Sequence, residues 1–208
     1  MPAAPPLPAQ QPLTSNTAID LSADRAHMER NGTSVLLGNV KMWRGGQFLR
    51  ADELYYARPR QRIRARGRVK FASQGLTVMG PAAELQLQHD TASFTQPEYQ
   101  YAPRHARGEA LRIDRQSPNV AVLEDTTYTT CNKGDNDWLL SAGQVTLDRA
   151  SGNGTGRNVV LRFKNIPLLY TPWIRFPIDD QRQSGFLFPG AGISSRSGFT
   201  LETPYYWN

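Results

Sequence analysis

Few residues of this chain have the types and spacing that bond-making chemistry needs. His27, His89 and His105 stand far apart with no metal-ligand spacing around them, and Cys131 is the single cysteine, so the pattern offers no zinc or other transition-metal site. Two acid pairs, Asp135 with Asp137 (KGDNDW) and Asp179 with Asp180 (IDDQ), have the composition of a general acid and base. Both lie in turn-like contexts, where aspartate caps the backbone. Ser151-Gly152 and Ser184-Gly185 lack the glycine-flanked turn of a hydrolase nucleophile. SGNGTGR at 151–157 has spaced glycines, but no Lys-Ser/Thr follows and a strand comes next, which fits a hairpin turn better than a phosphate cradle. The chain reads as non-enzymatic, with no cofactor or metal.

Its charge is the next candidate. The net charge is +6 with a pI near 9.7, which suits nucleic acid, anionic lipid or a solvated outer face. Arg62, Arg64, Arg66, Arg68 and Lys70 alternate with Ile63, Ala65, Gly67, Val69 and Phe71, the period-two signature of a half-buried strand. Like charges on one face repel, so neighbouring strands should offer acids or amides, and Glu84, Gln86 and Gln88 are suitable. Tyr99, Tyr101, Arg104 and Arg107 interleave as in single-strand binders. Period-two burial would hide those aromatics, so no nucleic-acid partner is expected.

The elements that position these residues follow a repeat. An apolar residue, a small residue two later, and apolar residues three and five further on recur at Leu21, Ala23, Ala26, Met28; Leu49, Ala51, Leu54, Tyr56; Val78, Gly80, Ala83, Leu85; and Leu140, Ala142, Val145, Leu147, with a degenerate copy at Gly108, Ala110, Ile113. The copies start 28, 29, 30 and 32 residues apart, a tandem repeat of drifting period. The first two share an Ala-Asp pair (LSAD, LRAD). Apolar parity switches after each small residue, which implies one extra residue there and a bend that keeps the apolar face inward. The expected fold is all-β, ten or more strands bent at a stacked corner, with unpaired edges at both ends. Residues 1–17 form a Pro/Ala/Gln-rich linker without a signal-peptide core, and no apolar run is long enough for a transmembrane helix. From Phe163 to Pro189 the prolines Pro167, Pro172, Pro177 and Pro189 stand among aromatic and aliphatic residues. They rule out a helix interior or a central strand and suggest a stiff, extended, apolar connector that lies against protein or lipid.

YTTC with the following DNDW, the connector IPLLYTPWIRFP, RQSGFL and the terminal YYWN make the chain, over roughly residues 18–208, resemble the LptD family of lipopolysaccharide-assembly proteins. The bent repeat resembles the family's OstA-like domain, whose fold the bridge proteins LptA and LptC share. The resemblance implies a periplasmic β-jellyroll over 18–180, followed at 181–208 by the first strands of a truncated outer-membrane β-barrel. It implies a protein of the cell outer membrane facing the periplasm, which takes lipopolysaccharide from an LptA-like bridge into an apolar groove, with an LptE-like lipoprotein bound through the missing barrel. Val40, Met42, Leu54, Tyr56, Ile63, Val69, Phe71, Val78, Leu85, Leu87, Phe94, Ile113, Leu140, Val145 and Leu147 have the inward parity to line that groove or to pack a dry core. Ile19, Leu21, Ala23, Ala26 and Met28 would form the edge strand that pairs with the bridge. Cys131 matches a family cysteine in a disulfide whose partner lies outside this chain; the other reading is a lone buried thiol. Pro189 and Pro204 match prolines that weaken strand pairing where lipid leaves the barrel. The connector becomes a hinge between trough and barrel, with Trp173 and Phe176 at the lipid boundary. Two rivals are an LptA- or LptC-like bridge subunit and a β-helix enzyme acting on polysaccharide.

Overall fold

The computed structural model describes residues 19–30, 32–135 and 137–178, and the backbone of 185–186, 190–194, 198–202 and 205–206. One antiparallel sheet of fourteen strands holds β1 (Asp20–Ser22), β2 (Arg25–His27), β3 (Thr33–Arg44), β4 (Gln47–Ala57), β5 (Arg62–Ser73), β6 (Leu76–Gln86), β7 (Thr91–Thr95), β8 (Glu98–Tyr101), β9 (Ala106–Glu109), β10 (Arg112–Arg115), β11 (Val120–Tyr128), β12 (Trp138–Asp148), β13 (Asn153–Phe163) and β14 (Ile166–Pro177). Its order is β1-β3-β4-β5-β6-β7-β10-β11-β12-β13-β14, with β2 on β3 and with β8 on β6 and β9. Further on, β15 (Gly185–Phe186) pairs with β18 (Tyr205–Tyr206), and β16 (Gly190–Ser194) with β17 (Gly198–Glu202), both antiparallel.

Three hairpins, β3–β4, β5–β6 and β13–β14, close where the chain supplies two left-handed residues in a row. Gly45-Gly46, Gln74-Gly75 and Lys164-Asn165 all have positive φ, the geometry of the two-residue hairpin turn that matches strand twist. The stretch SGNGTGR is only partly a turn. Its Ser151-Gly152 closes the β12–β13 hairpin, and the rest, from Asn153, is strand.

Strands bend at one common level. On β3 and β5 the bend is a left-handed pair, Gly38-Asn39 (φ 77° and 45°) and Gly67-Arg68 (φ 70° and 43°). Register shifts there: Leu37 faces Glu53 and Val40 faces Ala51, and Arg66 faces Ala82 while Val69 faces Gly80, so β3 and β5 each carry an extra residue. The expected bulge therefore lies on the neighbours of the small-residue strands, not on those strands themselves. The parity switch is present all the same: Leu49 and Ala51, then Leu54, are buried on β4. Gln96, Asp125 and Asn158 are left-handed at the same level, so residues 39, 68, 96, 125 and 158 form a second series interleaved with the small residues.

The shared Ala-Asp pair finds its reason here. Asp52 accepts a two-pronged contact from Arg68, with Nε at 3.0 and 3.1 Å and Nη2 at 2.7 Å, and that hydrogen bonding holds the Asp52 carboxyl below its ordinary range. Asp24 accepts from Asn39 Nδ2 at 2.9 Å. Each carboxylate packs onto a glycine of the next strand: a Cβ on Gly67 would stand 2.6 Å from Asp52 Oδ2, and one on Gly38 2.5 Å from Asp24 Oδ2.

Within the region read as a connector, Phe163–Pro189, the residues Ile166–Pro177 form the last strand of the sheet. β14 pairs along its length with β13 and with no other described strand. Proline is tolerated there because an edge strand needs donors on one side only, and Pro172 falls at the corner opposite Asn158, where the ladder skips from the Arg157–Trp173 pair to Val159–Thr171.

Gly67→Ala should destabilise the protein by about 1–3 kcal/mol, because alanine disfavours that φ and its methyl meets Asp52. Urea unfolding checks this against Gly46→Ala, where φ is also positive but nothing stands within 4 Å of the added carbon. Gly67→Ala should cost more.

Candidate functional site: the apolar inner face and its open edges

Bending leaves two arms whose inner faces meet. On one arm Leu21, Met42, Leu49, Phe71, Val78 and Tyr99 each face the next across successive strands. On the other, Leu36, Leu54, Ala65, Ala83, Phe94, Ile113, Leu123, Val145, Gly156 and Ile174 form one unbroken cross-strand row from β3 to β14. Such pairs are the unit of sheet stabilisation. Phe71 and Phe94, with ring centroids 5.6 Å apart, link the two arms.

The inner face is closed at one end and open at the other. Val40, Met42, Leu54, Ile63, Val69, Phe71, Val78, Leu85 and Phe94 belong to one core cluster, none more than 8% exposed. Tyr56, Leu87 and Ile113 pack against its rim. Leu140, Val145 and Leu147 lie outside that cluster and are half-buried. Leu140 sits on the first arm, in a row with Tyr128, Leu161 and Leu169, and Val145 and Leu147 on the second. The fifteen residues of inward parity thus share one surface but not one environment. Sequence parity does not reveal this, because it fixes the face a residue takes and not how closely the opposite arm approaches.

Beyond Leu147 the apolar surface emerges into solvent. On β14 Leu169 and Ile174, which continue the inner rows, are 54% and 39% exposed, while Tyr170 and Trp173, opposite Val160 and Arg157 on the outer face, are 61% and 56% exposed; Gly154 and Gly156 of β13 bring its backbone against Phe176 and Ile174. An edge strand with large apolar side chains exposed on both faces marks a surface that is covered in use. At the far edge β1 and β2 pair, among the described residues, with β3 alone. Ile19, Leu21 and Ala23 pack on the core, Ala26 is exposed, and Met28 is 67% exposed.

Cys131 is free and half-buried, its Sγ 3.9 Å from the Trp138 carbonyl. Its loop is held by Arg107, whose Nε donates to the Cys131 carbonyl at 2.9 Å and whose Nη2 donates to those of Asn132 and Asp135 at 2.9 and 2.6 Å. Buried Thr129 accepts from the Cys131 amide and donates to the Trp138 carbonyl. Asp135 accepts from the Asp137 amide at 3.0 Å, a turn cap. Tyr99, its phenol pushed up by burial, donates to the Thr127 carbonyl at 2.6 Å. Pro189, Pro204, Asp179, Asp180 and Ser184 lie outside the described residues. On the outer face Glu84 takes both Arg62 and Arg64, at 3.2 and 3.0 Å, and Gln86 accepts from Arg62 at 3.4 Å. Gln88 is exposed beyond the end of β6.

The family model described as LptA/(LptD N-terminal domain) LPS transport protein matches residues 20–153. An LPS-assembly protein LptD of Nitrosococcus oceani is 42% identical over 190 residues, 91% of this chain and 26% of that protein. One from Pseudomonas entomophila is 42% identical over 194 residues, 93% of this chain and 20% of its own. The chain therefore spans about a quarter or less of the length of these curated relatives. A solved structure of LptH, the LptA-homologous periplasmic component of the lipopolysaccharide transport device of Pseudomonas aeruginosa, is similar at 14% identity and a TM-score of 0.45, over 50% of this chain and 78% of that one. By the extent of the family match and the identity to these relatives, the chain belongs to the LptA/(LptD N-terminal domain) family of LPS transport proteins.

Proposed function

We propose that this chain receives the acyl chains of lipopolysaccharide between the two arms of its bent sheet and passes them toward β14, as the periplasm-facing part of an outer-membrane transporter. The carrying observation is the unbroken apolar row from Leu36 to Ile174, closed near β3 to β7 and open beyond β11. An acyl chain there is shielded from water at about 0.8 kcal/mol per buried methylene. The buried candidates, from Val40 to Phe94, line the path when the arms part; Leu140, Val145 and Leu147 line it without any parting. The process is transfer, and it asks no catalytic step of the chain.

The other assignments follow the family. An LptA-like bridge adds a strand at β1 and β2, with backbone hydrogen bonds supplying much of the contact. Residues 1–17 act as linker, 18–180 as jellyroll, and 181–208 begin a barrel that binds an LptE-like lipoprotein, with Pro189 and Pro204 weakening its seam. Cys131 pairs with a cysteine elsewhere in the longer protein, in an oxidising compartment.

A photo-reactive residue at Leu147 or Leu87 should form adducts with lipopolysaccharide, and one at outward-facing Lys70 should not. Equal adducts at all three, or none, would sink the trough. Leu21→Pro should abolish capture of an LptA-like bridge, and undiminished capture would move the docking edge elsewhere. In mature full-length protein Cys131 should resist thiol labelling until a reductant is added; a thiol reactive from the outset contradicts the disulfide.

A further inference from the structure

The row of basic residues on β5 divides on the outer face. Glu84 pairs with both Arg62 and Arg64 and offsets one of their two charges, Asp52 binds Arg68, and Arg66 lies 5.9 Å from the Tyr55 ring. Lys70 has a different setting. It faces Arg50, which faces Lys41, so three cations stand in one cross-strand line on neighbouring strands about 4.8 Å apart. All three are exposed, and among the described residues none has an ion-pair partner. Acids near this surface are few: Asp20 faces Trp43, Glu98 faces Met79 at the far end of the line, and Asp52, which also feels the charge of Arg50, is hydrogen-bonded to Arg68.

Directly opposed like charges destabilise a sheet. Nothing in the core requires these, since the alternate residues Val40, Met42, Leu49, Val69 and Phe71 carry the packing. Beside the cations, two positions along the same strands, Trp43 faces Phe48 with ring centroids 5.4 Å apart, and Trp43 is 43% exposed. A line of cations with an exposed indole on a pleated surface, rather than in a pocket, matches the layered chemistry of a bilayer interface. Phosphates there meet the cations, and the ring enters at headgroup depth.

We propose that the Lys41-Arg50-Lys70 line, with Trp43 and Phe48, docks this outer face on an anionic phospholipid surface. The contact lies on the face opposite the acyl path and does not depend on that path being used. Each basic residue at an anionic surface contributes about fivefold in partitioning, so the three together contribute about a hundredfold.

Flotation of the protein with vesicles of phosphatidylcholine alone, or with about a third phosphatidylglycerol, tests this. Binding should require the anionic lipid and fall between low and high salt. The triple variant Lys41→Gln, Arg50→Gln, Lys70→Gln should lose about a hundredfold, with unchanged circular dichroism and no loss of stability. Arg62→Gln with Arg64→Gln should change little, because Glu84 already pairs with both. Parent and triple variant binding alike, indifference to lipid charge, or capture of nucleic acid or acidic protein without vesicle binding would each overturn the proposal. A defect in lipopolysaccharide adducts at Leu147 with vesicle binding intact would instead count against the acyl path alone.

Discussion

The inner face depends on the strands bending at the same level. A strand alternates its faces, so an apolar set kept inward on both sides of a bend needs either a parity switch or an extra residue. β3, β4 and β5 use both in alternation, whereas β11 to β14 pass the corner in register, with no extra residue on either neighbour. β4 switches parity after Ala51, whereas β5 inserts a left-handed Gly67-Arg68 pair and keeps Ile63, Ala65, Val69 and Phe71 on one face. Asp52 ties the two solutions together, packed on Gly67 and bonded to Arg68. Because small residues mark the corner on one strand of each pair and left-handed residues mark it on the other, the period of the sequence repeat is a pair of strands.

This is why half of the corner was legible in the sequence and half was not. Ala23, Ala51, Gly80, Ala110 and Ala142 share a size class and recur visibly. Their counterparts Asn39, Arg68, Gln96, Asp125 and Asn158 share a backbone angle rather than a side-chain type, and an arginine or glutamine at positive φ gives little compositional sign. The strands, the Glu84–Arg64 pairing and the inward parity could be read from alternation. The prolines exclude a central strand, as the edge position of β14 bears out, but they do not mark an edge, because which strand ends a sheet is a property of the whole topology. Burial differences along the inner face were beyond reach for the same reason: Val69 and Val145 have the same parity, and only the approach of the other arm separates them.

Closing one end of the sheet and leaving the other open has an energetic logic. In the closed half, apolar side chains already touch one another, so a lipid chain entering there exchanges one apolar contact for another. The net driving force of such an exchange is small, which favours passage over tight retention. In the half that includes Leu140, Val145 and Leu147 the contacts are incomplete, and an acyl chain removes surface from water outright. Apolar demand therefore rises along the sheet from β3 toward β14. Gly154 leaves inner-face space that Phe176 fills, and Gly156 leaves space that Val159 of β13 and Ile174 of β14 share.

The two edges then differ in kind. At β1 and β2 the strands are three residues each and their outer flank is polar or small apart from Met28, which leaves backbone groups as the main thing on offer. At β14 the prolines remove some of those groups, and what remains is side-chain surface, aromatic and aliphatic. A partner at the first edge would be recognised through a ladder, which is directional and tolerant of sequence. One at the second would be recognised through apolar area, which is not directional. The sheet thus has a built-in polarity, and the rise in apolar demand along its inner face points from the directional edge to the non-directional one.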